Sequence, residues 1–236
     1  IQKRDTDAEV WTGKRLGTEG SETLFELEKA YENTAFKQLD LDFKQFNSIH
    51  YIKPQSDVRD DAYSKSDLHG LLLQFDSFIE NVSKDKIKNT KIHQWMSELR
   101  EFKKEEELAL MKRAIEITCT AQKELMRALK PGMKEYQSEA IIEFIFKKNG
   151  AEYPGFPSIL GSGENACVLH YVSNRKLMTG NNLLVSDVGA EYHGYTADVT
   201  RTLPVDGTYS EEEKIIYNIV LEAQQAGIDA CIKGNS

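Results

Sequence analysis

The stretch "SDVGAEYHGYTADVTRT", residues 186–202, places Asp187 and Asp198 inside two runs that otherwise have the pattern of β-strands. The runs cover residues 183–188 and 195–203. Aspartate is depleted in strands because its short carboxylate competes for backbone hydrogen bonds and is costly to bury without a partner. Two aspartates in neighbouring strands therefore call for an explanation beyond folding.

A symmetric hairpin with Tyr192 and His193 at its tip would place Asp187 directly opposite Asp198. Opposed residues on one face of an antiparallel pair have Cβ atoms about 4.5–5.5 Å apart, and two like charges at that distance repel. A cation is expected between them. Two divalent metal ions about 3.5–4 Å apart would suit one chelating and one bridging carboxylate.

Other interpretations of the two aspartates remain open on spacing alone. One aspartate would cap a turn while the other pairs with Arg201 or Lys176, or the two carboxyl groups would share a proton. A β-bulge in the hairpin would place them on opposite faces.

The composition predicts an ordinary soluble protein. The 236 residues are 40% hydrophobic and 29% charged, and this length suits one large domain or two modest ones, of which we predict two. The net charge of −8 argues against a nucleic-acid partner, because such proteins usually present a basic face. No apolar run approaches the roughly 18–20 residues of a membrane span, so no membrane partner is predicted.

Three cysteines, Cys119, Cys167 and Cys231, are far apart and form no C-x-x-C pair. Neither a zinc knuckle nor a disulfide framework is indicated, and a reducing, cytoplasmic setting is predicted. The first residues contain neither an initiator methionine nor a signal peptide, which favours a start inside a longer chain.

The character of the sequence changes near residue 100, which predicts a small N-terminal α/β domain over residues 1–97 and a second domain over 98–236. The first has a strand-like run at 47–52 and a helical pattern at 65–82. The apolar stripe of that helix consists of Leu68, Leu71, Leu72, Phe75, Phe78 and Ile79.

The second domain is predicted to follow the order helix, helix, strand pair, helix. A long helix begins at Glu105 and stops before Pro131, and a second helix covers 134–149 and ends at Gly150. The sequence "SEEE" at 210–213 matches a capping box and starts the third helix. The predicted inward residues of the second helix are Tyr136, Ala140, Ile141, Phe144 and Ile145, and the third helix carries Ile215, Ile216, Ile219 and Val220.

Two motifs, "GSGENACVLHY" at 161–171 and "LLVSDVGAEYHGYTADVTRTLPVDG" at 183–207, closely resemble the Xaa-Pro aminopeptidase branch of the pita-bread metallopeptidases. The resemblance extends upstream through 98–118 and 130–159 and, more loosely, through 4–20. It implies a mixed α/β fold of class α+β. A small N-terminal α/β domain would be followed by the first part of a pita-bread catalytic domain, whose curved antiparallel sheet is flanked by helices.

The resemblance also implies roles for individual residues. Asp187 matches the first, chelating metal ligand, and Asp198 matches the carboxylate that bridges two divalent metal ions, usually manganese. His170 matches a histidine outside the metal shell that hydrogen-bonds the substrate or the tetrahedral intermediate. Phe156 occupies a position near the substrate cleft, although a place in the core would suit an aromatic residue equally well.

This sequence departs from the family pattern at Ser186 and Val188, which flank the first ligand. Both should point away from Asp187, so metal binding is expected to survive.

The implied reaction is hydrolysis of the bond between an N-terminal residue and a following proline by a hydroxide shared between two metals. The implied partners are peptides with proline in second position and further copies of the chain, as a dimer or tetramer. The family also uses a histidine and two glutamates expected beyond Ser236, so these 236 residues alone are predicted to be inactive. Alternatives are a prolidase, a creatinase-like amidinohydrolase, or a non-catalytic pita-bread module that binds peptides or proteins.

Overall fold

The computed structural model describes Ile1 and residues 5–38, 45–52, 67–80 and 84–234. The chain divides into two compact units, Ile1–Phe102 and Lys103–Ser236. The sequence boundary after residue 97 falls inside a helix, Ile92–Glu101, which stays with the first unit.

Among its described residues the first unit contains one pair of short parallel strands, in which Ile49 lies opposite Ile87. The predicted strand at 47–52 is present only at 49–50, and the predicted helix at 65–82 is described over 67–80. In that helix Ile79 is buried, whereas the side chain of Leu68 lies outside the described residues. The elements are α1 (Thr6–Thr12), α2 (Gly17–Leu24), a 3₁₀ helix (Asn33–Gln38), β1 (Ile49–His50), α3 (Asp67–Glu80), β2 (Ile87–Lys88) and α4 (Ile92–Glu101).

The second unit has the predicted helix order and two three-stranded antiparallel sheets. The strand orders are β4-β5-β8 and β3-β6-β7. The predicted strand at 183–188 is β5, whereas the predicted strand at 195–203 is divided into β7 and β8. The elements are α5 (Glu105–Ala128), α6 (Glu135–Lys148), β3 (Tyr153–Pro154), β4 (Ile159–Ser162), a 3₁₀ helix (Gly163–Cys167), β5 (Leu183–Val188), β6 (Ala190–Tyr192), β7 (Tyr195–Thr196), β8 (Val199–Pro204) and α7 (Glu211–Asp229).

The core of this unit lies between the two long helices and one face of the β4-β5-β8 sheet. Strand β5 alternates strictly, with Leu184, Ser186 and Val188 buried and the intervening residues only partly so. Asp187 therefore faces away from the helices, on the opposite side of the strand from Ser186 and Val188. The buried apolar side chains are Ile117, Ala121, Leu125, Met133, Ile142, Ile145, Phe146, Ala151, Leu160, Met178, Leu184, Val188, Ala190, Leu203 and Val205.

The predicted inward face of α6 is wrong at three of its five positions. Tyr136, Ala140 and Phe144 are exposed, and only Ile145 is fully buried. The buried face consists of Glu135, Ser138, Ile142, Ile145 and Phe146. Two of these buried residues, Glu135 and Ser138, are polar. Because the prediction followed apolar residues only, it placed the buried face at a different position around the helix.

Helix α7 begins with the predicted capping box, in which Ser210 and Glu213 exchange hydrogen bonds. None of its residues is buried, and Ile215, Ile216, Ile219 and Val220 are 57–62% exposed. Among the residues described, no helix combines the length and apolar character needed to cross a bilayer.

Candidate metal centre

The register of the hairpin differs from the predicted one by two residues. Asp187 pairs with Thr200, not with Asp198. The turn consists of His193 and Gly194, with φ of 48° and 86°, and the residues on either side of it pair directly. Two successive left-handed residues form the type I′ turn whose twist suits a two-residue hairpin, and glycine at the second position favours it. The turn therefore lies one residue later than predicted.

The corrected register still brings the two aspartates together. Asp198 lies one residue beyond the last ladder pair, Val188–Val199, and its carboxyl group is within hydrogen-bonding distance of Asp187. Partial loss of solvent around the carboxyl group, together with the charge of Asp187 and the hydrogen bond to it, raises the pKa of Asp198. Two acids are thus held in contact on the side of the sheet that faces away from the helices.

Hydrogen bonding fixes Asp187 but does not neutralise the pair. The hydroxyl of Thr200 donates to Oδ1 of Asp187 at 2.8 Å. The two cationic partners considered from the sequence are engaged elsewhere: Arg201 donates to the carbonyl of Thr200, and Lys176 forms an ion pair with Glu164. Within the described ranges neither aspartate has an ion-pair partner, so the arrangement suits a bound cation.

Two polar side chains of α5 support the strands that carry the aspartates. The Nε2 of Gln122 donates to the carbonyl oxygens of Ser186 at 3.1 Å and Val199 at 3.0 Å. The backbone N–H of Ala190 donates to the hydroxyl of Thr118 at 2.9 Å. These bonds satisfy backbone groups where the β5–β8 ladder ends. The spacing of residues along the helix did not reveal this role for Gln122 and Thr118.

Phe156 is half-buried, and its ring lies close to the backbone of Gly189, two residues after Asp187. Its Cε1 atom is 2.9 Å from the position that a Cβ atom on Gly189 would occupy. The absence of a side chain at residue 189 therefore makes room for the aromatic ring. Its predicted place near a substrate cleft stays a prediction.

His170 is exposed, in the segment that follows the 3₁₀ helix Gly163–Cys167. In the described part of the chain its side chain forms no hydrogen bond or ion pair with either aspartate. Its predicted role in substrate binding stays a prediction.

A buried carboxylate that the sequence did not reveal, Glu135, receives hydrogen bonds from Ser162, Asn165, Tyr171 and Lys176. A glutamate in the first turn of a helix normally suggests capping, so nothing local distinguished it. The motif at 161–171 supplies three of its four partners.

The donor set fits a divalent cation that prefers oxygen ligands, because two adjacent carboxylates offer four oxygen atoms. They do not complete a site by themselves. No cluster of three or more histidine, cysteine, aspartate or glutamate residues occurs among the residues that the structure describes. Asp187 and Asp198 are therefore candidates for part of a metal centre.

The fold is that of a metallopeptidase. Residues 109–236 match Metallopeptidase family M24, and the chain belongs to that family. Its fold is the first part of the pita-bread architecture seen in the aminopeptidase P structures to which it is similar.

The individual proteins to which the chain is similar are peptidases named for Xaa-Pro substrates. The chain is 34% identical to the Xaa-Pro aminopeptidase of Escherichia coli over 241 residues, which is 99% of this chain and 52% of that protein. It is 32% identical to the human Xaa-Pro dipeptidase over 160 residues, or 66% of this chain and 32% of that protein. The structure of proline aminopeptidase P II from Yersinia pestis superimposes with a TM-score of 0.76 at 34% identity, covering 95% of this chain and 50% of that one. The chain thus spans about half the length of the Xaa-Pro aminopeptidases it matches.

Proposed function

We propose that this protein is an aminopeptidase that hydrolyses the bond between an N-terminal residue and a following proline. The observation that carries the proposal is the contact between the carboxyl groups of Asp187 and Asp198, which have no cationic partner among the described residues. Membership of family M24 supports metal-dependent peptide hydrolysis. The likeness to Xaa-Pro aminopeptidases supports the choice of substrate.

Asp187 and Asp198 would hold two divalent metal ions, Asp187 as a chelating ligand and Asp198 as the bridge. When bound, such ions lower the pKa of water and polarise the scissile carbonyl group. The remaining ligands would come from outside the described residues, and the resemblance assigns them to a histidine and two glutamates after position 236. We propose manganese, because carboxylate-rich sites suit it.

His170 would donate a hydrogen bond to the oxyanion that develops on the substrate carbonyl. Phe156 would line the cleft in which the peptide binds. Because a prolyl amide has no N–H to recognise, selection of proline depends on shape and apolar contact.

We further propose that the protein acts in the cytoplasm and assembles as a homo-oligomer. The three cysteines are free thiols, and Cys167 and Cys231 are exposed, as suits a reducing compartment.

The test is steady-state kinetics of the full-length protein on Ala-Pro-Ala and Ala-Ala-Ala, with and without chelator. Cleavage of Ala-Pro-Ala alone, lost with chelator and restored by Mn²⁺, is expected. Asp198→Asn should abolish turnover, because a neutral amide bridges two cations poorly. Asp206→Asn is the matched control, since Asp206 is exposed and, within the described part of the chain, its side chain accepts only a turn hydrogen bond from Thr208. Chelator-insensitive activity, or full activity of Asp198→Asn, would overturn the proposal.

A second candidate is a prolidase, favoured by the match to the human Xaa-Pro dipeptidase. The dipeptide Ala-Pro separates the two: a prolidase cleaves it in preference to Ala-Pro-Ala, whereas an aminopeptidase P shows the reverse order. A protein that binds both peptides and cleaves neither would be a non-catalytic member of the family.

A further inference from the structure

Glu135, the first residue of α6, is a fully buried carboxylate without a cationic partner among the described residues. Its Oε1 atom accepts hydrogen bonds from the backbone N–H of Ser162 at 2.7 Å and from the Ser162 hydroxyl at 2.8 Å. The side-chain amide of Asn165 donates to the same oxygen at 3.1 Å. Burial of a carboxylate is costly unless its oxygen atoms are hydrogen-bonded. These donors offset that cost for Glu135.

The second oxygen of Glu135 is also satisfied. The Tyr171 hydroxyl donates to Oε2 at 2.8 Å, and the backbone N–H of Lys176 does so at 2.9 Å. Burial raises the pKa of Glu135, but the bonds from Lys176, Ser162 and Tyr171 outweigh it, and the pKa is lowered. Glu135 therefore binds its partners as an anion.

All four partners belong to one stretch, residues 162–176, which we call the histidine segment because it contains His170. Glu135 contacts its beginning through Ser162, its middle through Tyr171 and its end through Lys176. Between Cys167 and Leu177 the segment contains no helix or strand. Its shape depends on side-chain hydrogen bonds instead.

A second buried side chain holds the same segment against β4. Asn174 is 1% exposed and has a left-handed φ of 49°. Its Oδ1 atom accepts from the N–H of Leu160 at 3.1 Å, and its Nδ2 atom donates to the carbonyl of Ser158 at 2.8 Å. Asn174 and Glu135 thus hold the segment on two sides, while Val168, Leu169 and His170 are exposed between the attached residues.

We propose that Glu135 is a positioning residue, which holds the histidine segment so that His170 meets the substrate in one orientation. This inference rests on the proposed function for the role of His170. An apolar core residue would give similar or greater stability without burying a charge. The directed hydrogen bonds to this one carboxylate instead define the path of the backbone next to His170.

The test combines kinetics with hydrogen–deuterium exchange in the full-length protein. Glu135→Gln has nearly the same shape but replaces one acceptor by a donor. The amides of the histidine segment, residues 162–176, should exchange about 10-fold faster or more in this variant, as expected when bonds to a charged acceptor are lost. Glu139 lies in the same helix, and its side chain forms no hydrogen bond with the described residues. Glu139→Gln should therefore leave exchange in the histidine segment unchanged.

In kinetics, Glu135→Gln should lower kcat by about 10²-fold with little change in KM, because misplacement of about 1 Å has that effect. If Glu135 acts through His170, adding Glu135→Gln to His170→Ala should lower kcat no further. If instead the two substitutions lower kcat by factors that multiply in the double variant, Glu135 has a merely structural role and the inference is overturned.

Tyr171→Phe serves if Glu135→Gln fails to fold, because it removes a single bond to the same carboxylate. Tyr171→Phe should show the same changes in amide exchange and in kcat, but smaller ones. If the parent protein cleaves no Xaa-Pro peptide, the proposed function fails. The exchange experiment then decides alone whether Glu135 holds the segment, and unchanged exchange in Glu135→Gln would refute that part too.

Discussion

The side-chain amide of Gln122 lies 3.1 Å from the carbonyl oxygen of Ser186, the residue before Asp187. The same nitrogen donates to Val199, the residue after Asp198. One buried side chain of α5 therefore joins the two strands on either side of the acidic pair. This contact connects the packing of the helix with the spacing of the two carboxyl groups.

We expect Gln122→Leu to lower the free energy of unfolding by about 1–2 kcal/mol, because two strand carbonyls lose a donor. The loss is partly offset, since the Oε1 atom of Gln122 is itself buried without a partner among the described residues. The variant should also bind Mn²⁺ more weakly. Urea unfolding and calorimetric titration measure the two effects. Lys123→Leu, an exposed neighbour, should change neither, and equal losses in both variants would contradict the assignment.

A second prediction concerns Gly189, which lies between β5 and β6. A Cβ atom there would be 1.7 Å from the carbonyl oxygen of Ala197 and 2.9 Å from Phe156. Because backbone cannot give way locally, Gly189→Ala should cost about 3 kcal/mol or more. Thermal unfolding of the parent and the variant measures this loss of stability.

The same substitution at Gly227 is the control. Nothing lies within 4 Å of a Cβ atom placed there, and the residue is within α7. Gly227→Ala should stabilise the protein by about 0.5–1 kcal/mol, because alanine loses less conformational freedom in a helix. A neutral Gly189→Ala would mean that the strands do not approach as closely as described.

The fold could largely be predicted because the helices of the second unit carry strong local signals. Glu105–Ala128 and the capping box at Ser210 follow from apolar spacing and side-chain chemistry alone. The face of α6 could not be predicted, because Glu135 and Ser138 are polar and buried. Their burial depends on partners far along the chain, such as Tyr171, which periodicity does not reveal.

The structure brings together the two acids singled out from the sequence, Asp187 and Asp198, but in a different register from the predicted one. A symmetric hairpin assumed a tip at Tyr192 and His193, whereas the left-handed φ of Gly194 moves the turn by one residue. The two aspartates still meet, as diagonal rather than direct neighbours, because a shift of two residues in pairing preserves the face. The support from Gln122 is a tertiary contact that no spacing in the sequence indicated.

A third prediction separates stability from metal binding at Asp198. In the presence of chelator, Asp198→Asn should raise the free energy of unfolding by a few tenths to about 1 kcal/mol, because it removes repulsion from Asp187. Added Mn²⁺ should then stabilise the parent protein but not the variant. Thermal melts with chelator and with Mn²⁺ give both comparisons. Asp206→Asn should behave like the parent in each, and a variant that Mn²⁺ stabilises fully would argue against Asp198 as a ligand.

The last prediction is the pH dependence that Glu135 gives to the fold. Its pKa in the folded protein is below the ordinary value of 4.5, so the unfolded chain binds more protons between the two values. The stabilisation is complete above pH 4.5 and is lost as the pH falls through the lower, folded-state pKa. The stability advantage of the parent over Glu135→Gln should therefore shrink as the pH is lowered from 6 to about 3. Urea unfolding at several pH values measures this difference in stability.

Ser162→Ala, which removes one donor but leaves the carboxylate, should be less stable than the parent and keep most of the pH dependence. Parallel curves for the parent and Glu135→Gln would show that the buried carboxylate is not stabilised as an anion.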